Sequence, residues 1–213
     1  MSLDGCIDDA NALPLKLSNT QDFEHVDEVR AHCDAILVGA GTIRKDNPKL
    51  LVKSEARQQE RVARGLPLQP IKVTLTRSGN LDPRAHFFTM GEGKSIVYCT
   101  TTVASALQKS VGLKAEIIAL GKDDIDPTSI INDLAARGVR TLLIEAGSTI
   151  ATLFLNAGLV DELQVSIAPF FVGNALAPRI VNTALSLYSK DRPMKLKNVE
   201  TFTDVVMLTY APQ

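Results

Sequence analysis

The sequence predicts an α/β protein: a three-layer fold with a mostly parallel central sheet and an antiparallel C-terminal edge. Short runs nearly continuous in Val, Ile and Leu, such as Ala35-Ile36-Leu37-Val38 and Thr141-Leu142-Leu143-Ile144, suit strands covered by helices on both faces. These runs alternate with segments of helical periodicity, and strand–helix alternation implies parallel pairing. Small-residue turns, Gly39-Ala40-Gly41-Thr42 and Glu145-Ala146-Gly147-Ser148-Thr149, follow two of the strands.

Residues 22–33 space Phe23, Val26, Val29 and Ala31 among charges as a helix, with Asn19 or Thr20 as its cap. Residues 35–38 form the first strand. Residues 54–64 are nearly all polar, closed by Gly65-Leu66-Pro67, and read as a solvated helix or excursion. Residues 71–76 and 95–99 read as strands, 103–109 as a helix and 115–120 as extended chain. Asp126-Pro127-Thr128 is a start signal for a helix over 130–137. After the strand at 141–144, a helix begins near Ser148 and stops at Ala157-Gly158. Residues 163–168 alternate as a strand and 201–210 supply the last one. No strong helix separates these two, hence the antiparallel edge. No linker rich in Pro, Gly or Ser divides the chain, so residues 1–213 read as a single domain.

A net charge of −1 argues against a nucleic-acid face built on phosphate contacts. Cys6, Cys33 and Cys99 are widely separated and lack metal-ligand spacing, so they read as free thiols and no metal is expected. No apolar run approaches bilayer-spanning length and no leader opens the chain, so a cytoplasmic protein without membrane contact is expected.

A strand, a small-residue turn and a helix start together aim free backbone N–H groups at an anion. Gly147 allows close approach, and the Ser148 and Thr149 hydroxyls add donors. The turn after Val38 is of the same kind. In open α/β sheets ligands sit beyond the carboxyl ends of strands, so both turns can serve one site. Neither has the Gly-x-Gly-x-x-Gly spacing, and the Walker lysine motif and the Gly-x-Ser-x-Gly elbow are missing. His25, His32 and His86 read as surface or structural residues.

Ser2-Leu3-Asp4-Gly5 comes first, followed by Asp34 to Thr42 and then Ile43-Arg44-x-Asp46-Asn47-Pro48-x-Leu50. Further on stand Glu145 to Thr149, Gly158-Leu159-Val160-Asp161-Glu162-Leu163 and Ala168-Pro169-x-x-x-Gly173. This ordered set resembles the riboflavin-biosynthesis reductase domain, the C-terminal domain of the bacterial bifunctional deaminase–reductase. The resemblance implies a dihydrofolate-reductase-like fold and an NADPH-dependent pyrimidine reductase like 5-amino-6-(5-phosphoribosylamino)uracil reductase. Hydride would pass to the ribosyl C1 of a phosphoribosylamino-pyrimidine. By the same resemblance Thr42 and Asp46 hold NADPH, and Thr76 and Arg77 face its adenosine ribose. Gly147, Ser148, Thr149, Ile150, Ala151, Thr152 and Leu153 cradle its pyrophosphate. Arg77 can pair with a 2′-phosphate through its planar fork. Arg30, Leu50, Lys53 and Glu145 fall at substrate positions, with Arg30 and Lys53 on the phosphate and Glu145 on the pyrimidine or ribose. No catalytic acid is assigned; Asp4 is an outside candidate for orienting the nicotinamide or its loop. A homodimer is implied, to which residues 165–172 can contribute if they are not core.

The chain departs from the family in residues 11–18, where Pro14 and Lys16 stand in place of a small hydroxyl and an aromatic. The family's first strand is expected to be missing before Met1. These departures keep two alternatives in view: a reductase of a pterin or other heterocycle, and a non-catalytic nucleotide-binding protein of the same fold.

Overall fold

The computed structural model describes residues 1–10, 15–185 and 187–213. It divides into two compact units, one formed by residues 26–146 and the other by 1–25 with 147–213.

The larger unit carries a five-stranded sheet in the order β4-β3-β2-β1-β5. Its strands are β1 (Ala35–Gly39), β2 (Ile71–Thr76), β3 (Ser95–Cys99), β4 (Glu116–Ala119) and β5 (Leu142–Ile144), and every pairing is parallel. Helices α1 (Thr20–His32), α2 (Ala40–Asp46), α3 (Glu55–Ala63), α4 (His86–Thr89), α5 (Thr101–Val111) and α6 (Pro127–Ala136) connect or lead into them. β1, β2 and β3 are almost wholly buried, as their unbroken apolar character requires. One face packs Ile36, Val38 and Val97 against Ile43, Leu107 and Phe87. The other is tied to α6 through Tyr98, whose hydroxyl donates to Asp133 at 2.7 Å. The layers therefore follow from strand alternation: neighbouring residues point to opposite faces, and both faces are apolar.

Two buried cations inside this unit, Lys72 and Arg61, tie backbone carbonyls. Lys72 of β2 is 3% exposed. Its ammonium donates to the carbonyls of Phe87 and Met90 and lies over the Phe87 ring. The polar segment 54–64 forms α3, capped by Ser54, whose hydroxyl accepts from Arg57 N–H. It is not wholly solvated: Arg61 is buried and donates to the carbonyls of Ala31, Cys33 and Pro67 at 2.9, 2.7 and 3.0 Å. The first two close the C-terminus of α1, whose last carbonyls have no intrahelical partner.

The smaller unit holds a three-stranded antiparallel sheet, β6-β8-β7, built from β6 (Leu163–Ile167), β7 (Lys195–Phe202) and β8 (Val205–Ala211), with α7 (Ser148–Asn156). The expected antiparallel strands thus form a sheet of their own, with one strand more than the periodicity of the chain shows. β7 and β8 make a hairpin that the sequence reading merged, because β7 is exposed along nearly its whole length and carries no alternation. Among the described residues β5 has only β1 as a neighbour and β6 only β8. The Met1 ammonium donates to the Ser166 carbonyl, and Ala168 N–H donates to the Met1 carbonyl at 2.7 Å.

Candidate active site

β1 lies between β2 and β5, so the chain winds outward from it to β2, β3 and β4 on one side and to β5 on the other. Such a reversal opens a crevice beyond the carboxyl ends of the central strands. Three sequence-singled segments stand at these ends: Gly39 to Thr42 after β1, Thr76 and Arg77 after β2, and Glu145 after β5. Glu145 N–H donates to the Leu37 carbonyl at 2.9 Å, which extends the β1–β5 ladder and fixes where its side chain leaves the sheet.

Arg30 and Glu145 form one assembly. Arg30 Nε and one terminal nitrogen donate to the two carboxylate oxygens at 2.6 and 2.7 Å, and the other donates to the Leu51 carbonyl at 3.2 Å. The two side chains are 14% and 26% exposed. The Arg30 guanidinium is therefore already committed to Glu145. The segment around it is held from several directions. Asp27, 5% exposed, accepts from the N–H groups of Lys53 and Ser54 at 2.6 and 3.1 Å and from Arg57 at 3.1 Å. Gln69 accepts from Val52 N–H and donates to the Val52 carbonyl. Burial alone would push the Asp27 carboxyl up, but these donors outweigh it and hold the group below its ordinary value. Just before this clamped segment Leu50, 2% exposed, adopts a left-handed φ of 51°, and Asn47 one of 45°. A buried leucine in that region is a strained conformation kept by its surroundings.

At the end of β2 the Thr76 hydroxyl accepts from Gly79 N–H at 3.1 Å, so Thr76 closes the turn that presents Arg77. The Arg77 carbonyl accepts from the Thr100 hydroxyl at 3.3 Å. Its guanidinium projects into solvent, 3.7 Å from the Asp124 carboxylate. Thr42 is half-buried, Asp46 and Lys53 are exposed.

In the smaller unit α7 begins directly after Gly147, which offers no side-chain cap. Ile150 and Ala151 N–H donate to the Gly147 carbonyl, while those of Ser148 and Thr149 have no acceptor among the described residues. The Ser148 hydroxyl is committed to the Arg179 carbonyl. Thr152 is buried, donates to the Ser148 carbonyl at 2.7 Å and accepts from Asn182 N–H at 2.8 Å, so its side chain builds the helix start. Ile150, Ala151 and Leu153 are half-buried along the same helix. Asp4 serves its loop: its carboxylate accepts from the Ser2 hydroxyl at 2.5 Å and from Val172 and Gly173 N–H at 3.1 and 2.8 Å. The Ser2 hydroxyl and then these N–H groups hold its carboxyl well below the usual range. Residues 11–14, including Pro14, lie outside the described residues; Lys16 places its ammonium 5.6 Å from the Phe23 ring centroid. Residues 165–172 are mixed, with Val165 and Ala168 buried and Phe171 71% exposed.

A family model described as the RibD C-terminal domain matches residues 1–208. The chain belongs to this family. It is 29% identical over 198 residues to the 2,5-diamino-6-ribosylamino-4(3H)-pyrimidinone 5′-phosphate reductase of Archaeoglobus fulgidus, covering 93% of this chain and 90% of the relative. It is 30% identical over 183 residues to the protein of the same name from Methanothermobacter thermautotrophicus, covering 85% and 80%. The crystal structure of a pyrimidine reductase-like protein from Corynebacterium diphtheriae superposes with a TM-score of 0.83 at 21% identity, covering 100% of this chain and 89% of that one. The RibD-type fold identified from the ordered motifs is thereby established. The clamps on the loop, Asp27 and Gln69, escaped the sequence reading, because a lone Asp on a charged helix and a lone Gln before a strand carry no spacing signal. No helix among the described residues is long and apolar enough to cross a membrane.

Proposed function

We propose that this RibD-family chain is an NADPH-dependent reductase that converts the ribosyl group of a phosphoribosylamino-pyrimidine into a ribityl chain. The observation that carries the reading is the family match over nearly the whole chain, with archaeal relatives matched over most of their own length. Their names make 2,5-diamino-6-ribosylamino-4(3H)-pyrimidinone 5′-phosphate the first substrate to test.

Each unit taken by itself offers donors suited to a dinucleotide's phosphates. Uncapped N–H groups open α7, and the turn after β2 carries an arginine and no carboxylate of its own. Thr42 and Asp46 would hold the cofactor, Thr76 and Arg77 would face its adenosine ribose, and Gly147 to Leu153 would cradle the pyrophosphate. When bound, the nicotinamide supplies a hydride. The ring-opened substrate is an imine; its C1 gains the hydride, its nitrogen gains a proton, and the C=N double bond becomes a single bond. Glu145, oriented by Arg30, would accept hydrogen bonds from the pyrimidine or ribose. Lys53 and the remaining N–H groups of Arg30 would meet the substrate phosphate. Position and charge complementarity then carry most of the rate.

The reading also takes residues 1–213 as one reductase domain that acts in the cytoplasm as a homodimer. Size-exclusion chromatography over a range of concentrations tests the last point; a monomer at all of them overturns it. The functional test is incubation with NADPH and the diaminopyrimidinone phosphate, with its deaminated uracil counterpart alongside. Loss of nicotinamide absorbance with either is expected. Turnover of neither sinks the assignment.

A further inference from the structure

Arg44 stands in the last turn of α2, exposed to solvent. Its side chain does not extend away from the sheet. One terminal nitrogen donates to the Asn80 carbonyl at 3.1 Å, and the other lies 3.9 Å from where a Cβ on Gly41 would stand. The guanidinium is therefore laid back across Gly41 onto the turn that follows β2, the turn that presents Arg77 and Ser78. The turn itself is fixed from below. Thr76 accepts from Gly79 N–H, Thr100 donates to the Arg77 carbonyl, and Gly79, at φ +68°, packs against Val103. Two arginines thus converge on one rigid, exposed turn at the carboxyl end of a central strand, and residues 77–80 contain no carboxylate.

We infer that Arg44, together with Arg77, reads the 2′-phosphate of the dinucleotide, and that Arg44 is the stronger discriminator of the two. The inference rests on the cofactor reading given above and assigns the specificity of that same site. A carboxylate at such a turn would accept from the ribose hydroxyls of a nucleotide without that phosphate; a guanidinium there calls for the phosphate instead. Arg77 already has an anionic neighbour in Asp124, at 3.7 Å, which a phosphate would have to compete with. Among the described residues Arg44 has no carboxylate partner, only a neutral carbonyl that steers the fork and leaves N–H groups for a bidentate contact.

The test is the pair of dissociation constants for NADPH and NADH, read from nicotinamide fluorescence on the full chain, on R44Q and on R84Q as a charge-loss control elsewhere on the surface. For R44Q, NADPH binding should weaken about tenfold or more while NADH stays within about twofold, because only the phosphate contact is lost. R84Q should leave both within about twofold. Equal weakening of both nucleotides in R44Q, or no change in either, overturns the role of Arg44 while leaving the cofactor reading intact. A wild-type chain that binds neither nucleotide overturns both.

Discussion

A paired carboxylate can be a ligand only if something holds it where the substrate arrives. The two short bonds between Arg30 and Glu145 fix that carboxylate in rotation as well as position. Arg30→Ala and Glu145→Gln should each lower kcat with the pyrimidine substrate by about a hundredfold, the scale of a misplaced contact. If Arg30 acts through Glu145, the double variant should be little worse than either single one. Arg30→Ala should also cost about 1–3 kcal/mol of stability by urea unfolding, since Glu145 loses two charge-assisted bonds. Asp27 makes a pH-dependent prediction. Its carboxyl titrates lower in the folded chain than in the unfolded one, despite its burial, because Lys53, Ser54 and Arg57 donate to the charged form. The folded state then takes up that proton less readily. Its contribution is complete above the ordinary carboxyl value of about 4 and is lost as pH falls through the folded value. Asp27→Asn should cost about 1–3 kcal/mol at neutral pH. The gap between the urea midpoints of wild type and variant should narrow on acidification below about pH 4. A gap constant with pH would remove the charge from the account.

At the scale of elements, α3 and β7 show where patterning misleads. Residues 54–64 are polar enough to read as a solvated excursion, yet Arg57, Gln58 and Arg61 of α3 turn inward. Arg61 is the one fully buried, because the carbonyls ending α1 need a donor and a long guanidinium can reach them from a neighbouring helix. Arg61→Ala should destabilise by about 2–4 kcal/mol, having stripped several buried carbonyls of their donor. Arg61→Lys should recover little, since one ammonium cannot span both Pro67 and α1. Urea midpoints decide it, and a wild-type-like Arg61→Ala would mean that water replaces the fork at no cost. β7 escaped for the opposite reason: its ladder to β8 forms it, and its side chains meet mostly solvent, so no period-2 signal is written into them. The single turn α4, starting at His86, is held by Asn47, whose side chain accepts from His86 N–H at 2.7 Å. That contact spans too many residues to be seen in a local window.

At the scale of the molecule, the parallel strands and the glycine turns after them were legible, because doubly covered strands are apolar throughout and strand-end turns have their own chemistry. The pairing of antiparallel strands into a separate sheet was not, since edge neighbours are set by tertiary partners. The Arg30–Glu145 assembly was half visible: the family resemblance implied substrate roles for both residues, but their mutual contact is a fact of three dimensions. The proposed nucleotide site has a thermodynamic consequence that a melting curve can read. A nucleotide that binds only the folded chain stabilises it by about 2.7 kcal/mol at a hundredfold excess over its Kd, and by about 1.4 kcal/mol at tenfold. For a chain of this length each kcal/mol moves the midpoint by about 2–4 °C, so NADPH at the larger excess should raise Tm by about 5–11 °C. NADH at the same concentration should give about half that shift if it binds tenfold more weakly. Hydrogen exchange then locates the effect, with added protection expected at Thr42, at residues 76–80 and at the Ser148 and Thr149 amides. In R44Q the difference between the two nucleotides should shrink from the NADPH side alone. Equal shifts by NADPH and NADH in the wild type would put recognition on the parts the two share and leave the arginine turn outside it.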